Sequence, residues 1–224
     1  MKNDLITYSE SQQEQLERHI REKMLSEGDE PKFFSEMTPE YVKVDVCSAS
    51  ESLITVGVGA RKTGSPIPDY EHIEFIMFKT PEISEKQNAT ACLELARLAR
   101  YLFKKPEIKD ATANLEFASP GRYPLNNDTW LGGGHTINAS EGFAEEFGYE
   151  YFFFAEFAEE AEVSGIGKIH FLIAIPIYEE ERNWMAERDD GSQRFINSYM
   201  ESIDENDDKL FCIDYKRPVF IPKE

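Results

Sequence analysis

Basic residues are scarce in this chain. Against 43 Asp and Glu stand 24 Lys and Arg, which leaves a formal net charge of −19 over 224 residues. A surface of that sign repels phosphates. It argues against nucleic acid as a direct ligand and favours a basic protein partner, with solubility the plainer use of the same charge. The excess is uneven: residues 141–224 hold 21 acidic and 8 basic side chains, a net of −13, and residues 1–140 carry the remaining −6. Cysteine is equally sparse. The three thiols, Cys47, Cys92 and Cys212, are odd in number, far apart and set among apolar neighbours. This excludes a disulfide framework and fits buried, reduced thiols in a cytoplasmic protein. Long apolar runs are missing too. None approaches a membrane span, and the polar opening MKNDLITYSESQQEQLE lacks the apolar segment of a signal peptide. The sequons at Asn88, Asn127 and Asn138 carry no weight without a secretory route.

Catalytic and cofactor motifs are also wanting. His72 with Glu74 echoes the start of a zinc deaminase signature, yet the downstream Pro-Cys-x-x-Cys is missing and no HExxH occurs. Gly132, Gly133 and Gly134 precede His135 and Thr136 rather than the Lys-Ser or Lys-Thr of a phosphate loop, and Gly57, Gly59 and Gly64 fit neither nucleotide motif. Ser164 lacks the glycine two residues before it that a nucleophile elbow requires. Among the histidines only His135 has a context that invites a catalytic reading, and capping the glycine turn is its plainer role. Neither a metal nor a cofactor is expected.

What is present organises around Lys168–Arg182, KIHFLIAIPIYEEER. Apolar residues occupy both parities from Phe171 to Ile177, so this reads as a strand covered on both faces. The upstream glycines and Pro176 weigh against a helix. Glu179, Glu180 and Glu181 then suit the first turn of a helix, where the backbone dipole favours negative charge. Taken in order, an amphipathic helix at about 9–28 opens the chain, with a capping box read at Ser11 and Glu14. Val42, Val44 and Val46 alternate with polar residues as in a half-buried strand. LITVGVGAR and Ile73–Phe78 follow as further strands of an antiparallel meander. Residues 81–106 hold a helix with the stripe Cys92, Leu95, Ala96, Ala99, Leu102 and Phe103. Leu115–Phe117 is a short strand, Ser119–Asp128 an irregular loop, and Tyr149–Phe157 a strand. Helices at 179–188 and 193–203 follow, the second capped by Ser192 and buried through Phe195, Ile196, Tyr199, Met200 and Ile203. Leu210–Ile213 and Pro218–Ile221 read as edge strands. The expected class is α+β, with a largely antiparallel mixed sheet and helices packed on it.

The succession VKVDVCSASESLITVGVGAR, HIEFIMFKTPE, LARLARYLF, GGGHTI and FLIAIPIYEEERNWM resembles the suppressor-of-fused domain family in a bacterial form, over about residues 40–203. The most telling points are the strand around Asp45, Gly134–Ile137 and the Ile175–Glu181 run. The resemblance implies an α+β fold, one domain across residues 1–224, and protein binding rather than catalysis. Bacterial relatives are similar to immunity proteins, which neutralise a cognate toxin, often a nuclease. An acidic surface suits that role because acidic side chains mimic phosphates before a basic active site. The expected function is therefore a non-enzymatic, antitoxin-like binding protein. A general interaction scaffold is the alternative, and an enzyme ranks third. The candidate partner-facing residues are Glu179, Glu180, Glu181, Asp204, Glu205, Asp207 and Asp208. The sequence leaves oligomeric state open. Because zinc-ligand spacing is missing, elemental analysis of the purified protein should find no stoichiometric zinc, and one zinc per chain would overturn that reading.

Overall fold

A computed structural model describes residues 7–37, 43–63, 65, 67–103, 132–202 and 208–223. Its frame is a seven-stranded sheet built from β1 (Lys32–Met37), β2 (Lys43–Ser48), β3 (Ser52–Val56), β4 (Ile73–Phe78), β5 (Thr136–Asn138), β6 (Tyr151–Val163) and β7 (Gly167–Ile177). In space the strands run β1-β2-β3-β4-β7-β6-β5. The first four form an antiparallel meander, and β5, β6 and β7 are antiparallel as well. Among the described strands β4 and β7 pair parallel, with Phe75 beside Leu172. The class is α+β.

The strand expected at the centre is β7. Leu172 and Ala174 face one layer and Ile169, Phe171, Ile175 and Ile177 the other, all essentially inaccessible to water. On the first face lie α2 (Glu85–Phe103), through Ala91, Cys92, Leu95, Leu98 and Ala99, and α3 (Glu141–Phe147), through Phe143 and Phe147. On the second, α1 (Glu10–Lys23) covers one end with Leu16 and Ile20. The other end is covered by α4 (Glu179–Ala186) and α5 (Gly191–Ser202), through Trp184, Met185, Phe195 and Tyr199. Small residues at Ala91 and Ala99 let α2 lie close on the sheet.

Several local readings shift. The capping box of α1 sits at Ser9 and Gln12, whose side chain accepts from the Ser9 N–H at 3.0 Å. β2 is buried on both faces, because Asp45 is satisfied by Lys43, Gln13 and Ser35 rather than by water. β3 stops at Val56 because Gly57 takes φ +135° and Val58–Ala60 coils into a short 3-10 turn. Ser192 lies inside α5, where its hydroxyl donates to the Gly134 carbonyl at 3.0 Å. The reading of Leu210–Ile213 and Pro218–Ile221 as strands is wrong. Asp208–Phe211 is a 3-10 turn, one bridge joins Cys212 to Phe78, and residues 214–223 bond chiefly to side chains. α3 and β5 were not anticipated; α3 is capped by Ser140 and closed by Gly148 at φ +84°. Leu115–Phe117 and Ser119–Asp128 lie outside the described residues. No helix among the described residues is long and apolar enough to cross a membrane.

The burial pattern separates neighbours on β7. Ile175 is sealed between Phe153 and the α4–α5 layer, whereas Ile173, expected from the sequence to be a core residue, is only half-buried. Ile175→Asp should therefore fail to give a folded soluble protein, since stranding a carboxylate there costs a large share of a stability of about 5–15 kcal/mol. Ile173→Asp should fold with a loss of about 1–3 kcal/mol. Urea denaturation of both variants checks the contrast.

Candidate functional site

Ile173 is half-buried because it forms part of the floor of an open groove of about 980 Å³ on the second face of the sheet. Ala155 and Phe157 of β6 and Ile173 of β7 supply its apolar floor, with the buried Phe153 and Ile175 beneath its end toward α5. Ile196 and Met200 of α5 form one wall, with Phe211 beside them, and Met24, Ser26 and Asp29 close the side where α1 ends. Met200 is 54% exposed although it belongs to the apolar stripe of α5. The irregularity between Phe157 and Glu160, where β6 slips register against β7, lies at the edge of this floor.

The α5 wall depends on a buried ion pair. Arg217 and Glu181 are bonded through both guanidinium Nη atoms, and Arg217 also donates to the Pro176 carbonyl at 3.0 Å. Glu181 accepts further bonds from the Tyr178 N–H at 2.9 Å and the Phe220 N–H at 2.6 Å. Tyr199, Tyr178 and Tyr149 pack their rings 5.0, 5.3 and 5.8 Å from the guanidinium carbon. Burial opposes the charge of Arg217, but the Glu181 carboxylate and the tyrosines outweigh it and raise its pKa. The Tyr199 hydroxyl donates to the Leu210 carbonyl at 2.7 Å, so α5, the 3-10 turn and the tail hold one another in place.

A second buried carboxylate holds the α1 side. Glu74 on β4 is sealed from water and accepts bonds from Tyr8 Oη at 2.8 Å, Thr55 Oγ1 at 2.6 Å and the backbone N–H groups of Gly57, Val58 and Gly59. The Tyr8 bond ties the start of α1 to the sheet. Burial pushes the Glu74 carboxyl up to about 7, and its donors restrain it from rising further.

At the groove end, His135 closes the glycine turn as read from the sequence: its Nδ1 accepts from the Gly132 N–H at 3.1 Å. Burial pulls it down to about 4, so the imidazole is neutral at neutral pH. Gly134 turns there with φ +91° and bonds Phe154 through its N–H. All three cysteines are buried, and burial pushes Cys47 and Cys92 up to about 12. Among the described residues no group of three His, Cys, Asp or Glu side chains is arranged to hold a metal.

The structure divides the candidate partner-facing residues. Glu179 and Glu180 stand exposed at the start of α4. Glu181 does not: it is turned inward by Arg217 and cannot meet a partner. Asp204, Glu205 and Asp207 lie outside the described residues, and Asp208 begins the 3-10 turn. The exposed glutamates are not among the groove-lining residues. The groove itself went unread in the sequence. Its signal was an apolar stripe on α5 wider than the core needs, running on to Met200.

The suppressor-of-fused family model matches residues 117–218, the family that the sequence resembles. That span includes β5, β6, β7, α4, α5 and Arg217, and so most of the groove floor and both members of the buried ion pair. A search of curated proteins finds no match.

Glu74 makes stability depend on pH with a defined sign. Its folded pKa of about 7 lies above the ordinary glutamate value of 4.5, so its contribution is fully present below pH 4.5 and is lost as pH rises through about 7. The stability difference between wild type and Glu74→Gln should therefore shrink, or turn against wild type, between pH 5 and about pH 8. Urea midpoints measured at both ends of this window give the slope. A constant difference would show that Glu74 is ionised throughout.

Proposed function

We propose that this chain, which over residues 117–218 matches the suppressor-of-fused family model, is a non-enzymatic protein-binding module. We treat residues 1–224 as one domain whose groove takes an apolar segment of a protein partner. The observation that carries this reading is the groove itself. A soluble protein seldom leaves apolar side chains such as Ile173, Phe157 and Met200 open together on rigid elements unless something covers them. The wall positions are fixed by a buried ion pair and by hydrogen bonds, so little order has to be gained on binding.

The partner we infer is a basic toxin domain, which makes this an immunity protein acting in the bacterial cytoplasm. The net charge of −19 and its concentration after residue 141 support that choice. Glu179 and Glu180 sit on a helix start whose next residue is bolted into the core, so their carboxylates are held ready. They would steer approach, and the groove would supply the lasting contact. A scaffold that binds a harmless partner is the second reading, favoured by the groove alone.

The test starts with the partner cross-linked in the native host and then purified. Ile196→Asp with Met200→Asp should speed dissociation at least about tenfold, because both place charge on the apolar wall. Glu179→Lys with Glu180→Lys should slow association at low salt and matter little at high salt, with circular dichroism as the folding control. Growth decides the finer reading: a partner that kills the host when expressed alone, and is silenced by co-expression of this chain, supports immunity. A harmless partner leaves the binding module and overturns the antitoxin role.

A further inference from the structure

The sheet ends on β1, and its outer side has no strand paired to it among the described residues. Lys32, Phe33, Phe34, Ser35 and Glu36 are all exposed, Phe33 at 37% and Phe34 at 36%. Two adjacent aromatics on an open edge are unusual, because such edges invite pairing and are normally blunted. Here the blunting is slight: Pro31 stands just before the strand and keeps any added ladder short at that end, and Lys32 and Glu36 charge the edge.

The direction of the free backbone groups follows from the neighbouring hairpin. The Ala49 N–H donates to the Ser52 carbonyl at 2.9 Å, so by alternation Cys47 and Asp45 bond to β3 while Ser48, Val46 and Val44 bond to β1. Their register partners are Lys32, Phe34 and Glu36. Those three direct their backbone groups to β2, and Phe33 and Ser35 direct theirs outward. A second copy running antiparallel, related by a two-fold axis at Phe34, brings Phe33 opposite Ser35 of the partner subunit with backbone bonds exchanged. The same register brings Lys32 opposite Glu36 of the partner subunit twice, once on each side of the axis. These fall at positions without backbone bonds, where facing side chains come closest. An axis at Ser35 instead sets Phe34 against Glu36 of the partner subunit and leaves Lys32 with no acid.

We propose that β1 is a self-association edge, through which two copies of this chain pair antiparallel about Phe34 and join their sheets into one. Charge complementarity selects the register, and the two-fold closes the contact on itself so that the assembly stops at the dimer. The contact is small, so the dimer is weak and concentration-dependent. It draws on nothing in the groove, whose floor strands β6 and β7 lie across the sheet from β1.

Sedimentation equilibrium of the full chain over a wide concentration range tests it. Wild type should show a monomer–dimer equilibrium. Lys32→Glu and Glu36→Lys should each weaken it about tenfold by setting like charges opposite, and the double exchange Lys32→Glu with Glu36→Lys should restore it. Phe33→Pro removes an N–H that faces away from β2 and should abolish the dimer while circular dichroism stays unchanged. In amide exchange, Phe33 and Ser35 should gain protection with rising concentration in wild type. A chain that is monomeric throughout overturns the proposal, as does a dimer indifferent to the single charge changes or one that the double exchange fails to restore.

Discussion

The Arg217–Glu181 pair is the contact on which the second face of the sheet depends. Residues 214–223 have no strand ladder to place them, so their position rests on side chains: the Tyr149 hydroxyl donates to the Tyr215 carbonyl, the Tyr178 hydroxyl to the Arg217 carbonyl, and the Phe220 N–H to Glu181. Each of these partners is oriented by the ion pair or touches it. Burying two charges is costly. It is tolerable here because both guanidinium Nη groups meet the Glu181 oxygens, further Nη bonds go to the Pro176 and Pro218 carbonyls, and tyrosine rings cover the guanidinium, while Nε has no hydrogen-bond partner among the described residues. Once the tail is fixed, Phe220 packs edge-to-face with Phe195 and Tyr199, and α5 can stand at the edge of the groove without closing over it.

Glu74 acts on the other side with different chemistry. It has no cation beside it among the described residues; its partners are two hydroxyls and three backbone N–H groups at the 3-10 turn. Gly57 makes this cradle possible, since its φ of +135° points its N–H at the carboxylate. α1 contributes two fully buried apolar residues within the helix, Leu16 and Ile20, so the Tyr8 bond is a large part of what fixes its start. The groove thus lies between one side held by an ion pair and another held by a hydrogen-bonded acid.

The sequence was most legible where the physics is local or nearly so. The two-faced apolar run predicted β7, the period of α2 predicted its buried stripe, and the alternation across residues 43–78 predicted the meander. It was least legible where a long-range partner decides. Three consecutive glutamates look alike in the sequence, and only Arg217, far along the chain, draws Glu181 inward and leaves Glu179 and Glu180 outside. Asp45 reads as a solvent-facing residue until Gln13, Ser35 and Lys43 are seen around it. The parallel β4–β7 joint has no local signature, because the whole chain from α2 to β6 intervenes. The tail reads as strand because it holds β-branched and aromatic residues, but Pro218 and its bonds to side chains keep it out of the sheet.

Core and surface are coupled on α4 by the turn of the helix. Each residue advances about 100° around the axis, so fixing Glu181 in the core fixes the directions of Glu179 and Glu180 as well. Pairing of β1 edges would extend this order beyond one copy. A two-fold between antiparallel edge strands runs perpendicular to the sheet, which keeps equivalent faces on the same side. Two grooves would then open in the same direction from one continuous sheet. A partner that is itself two-fold, or that repeats its apolar segment, would engage both at once. Its second contact would form at high effective concentration, so residence on the dimer would outlast what one groove supplies.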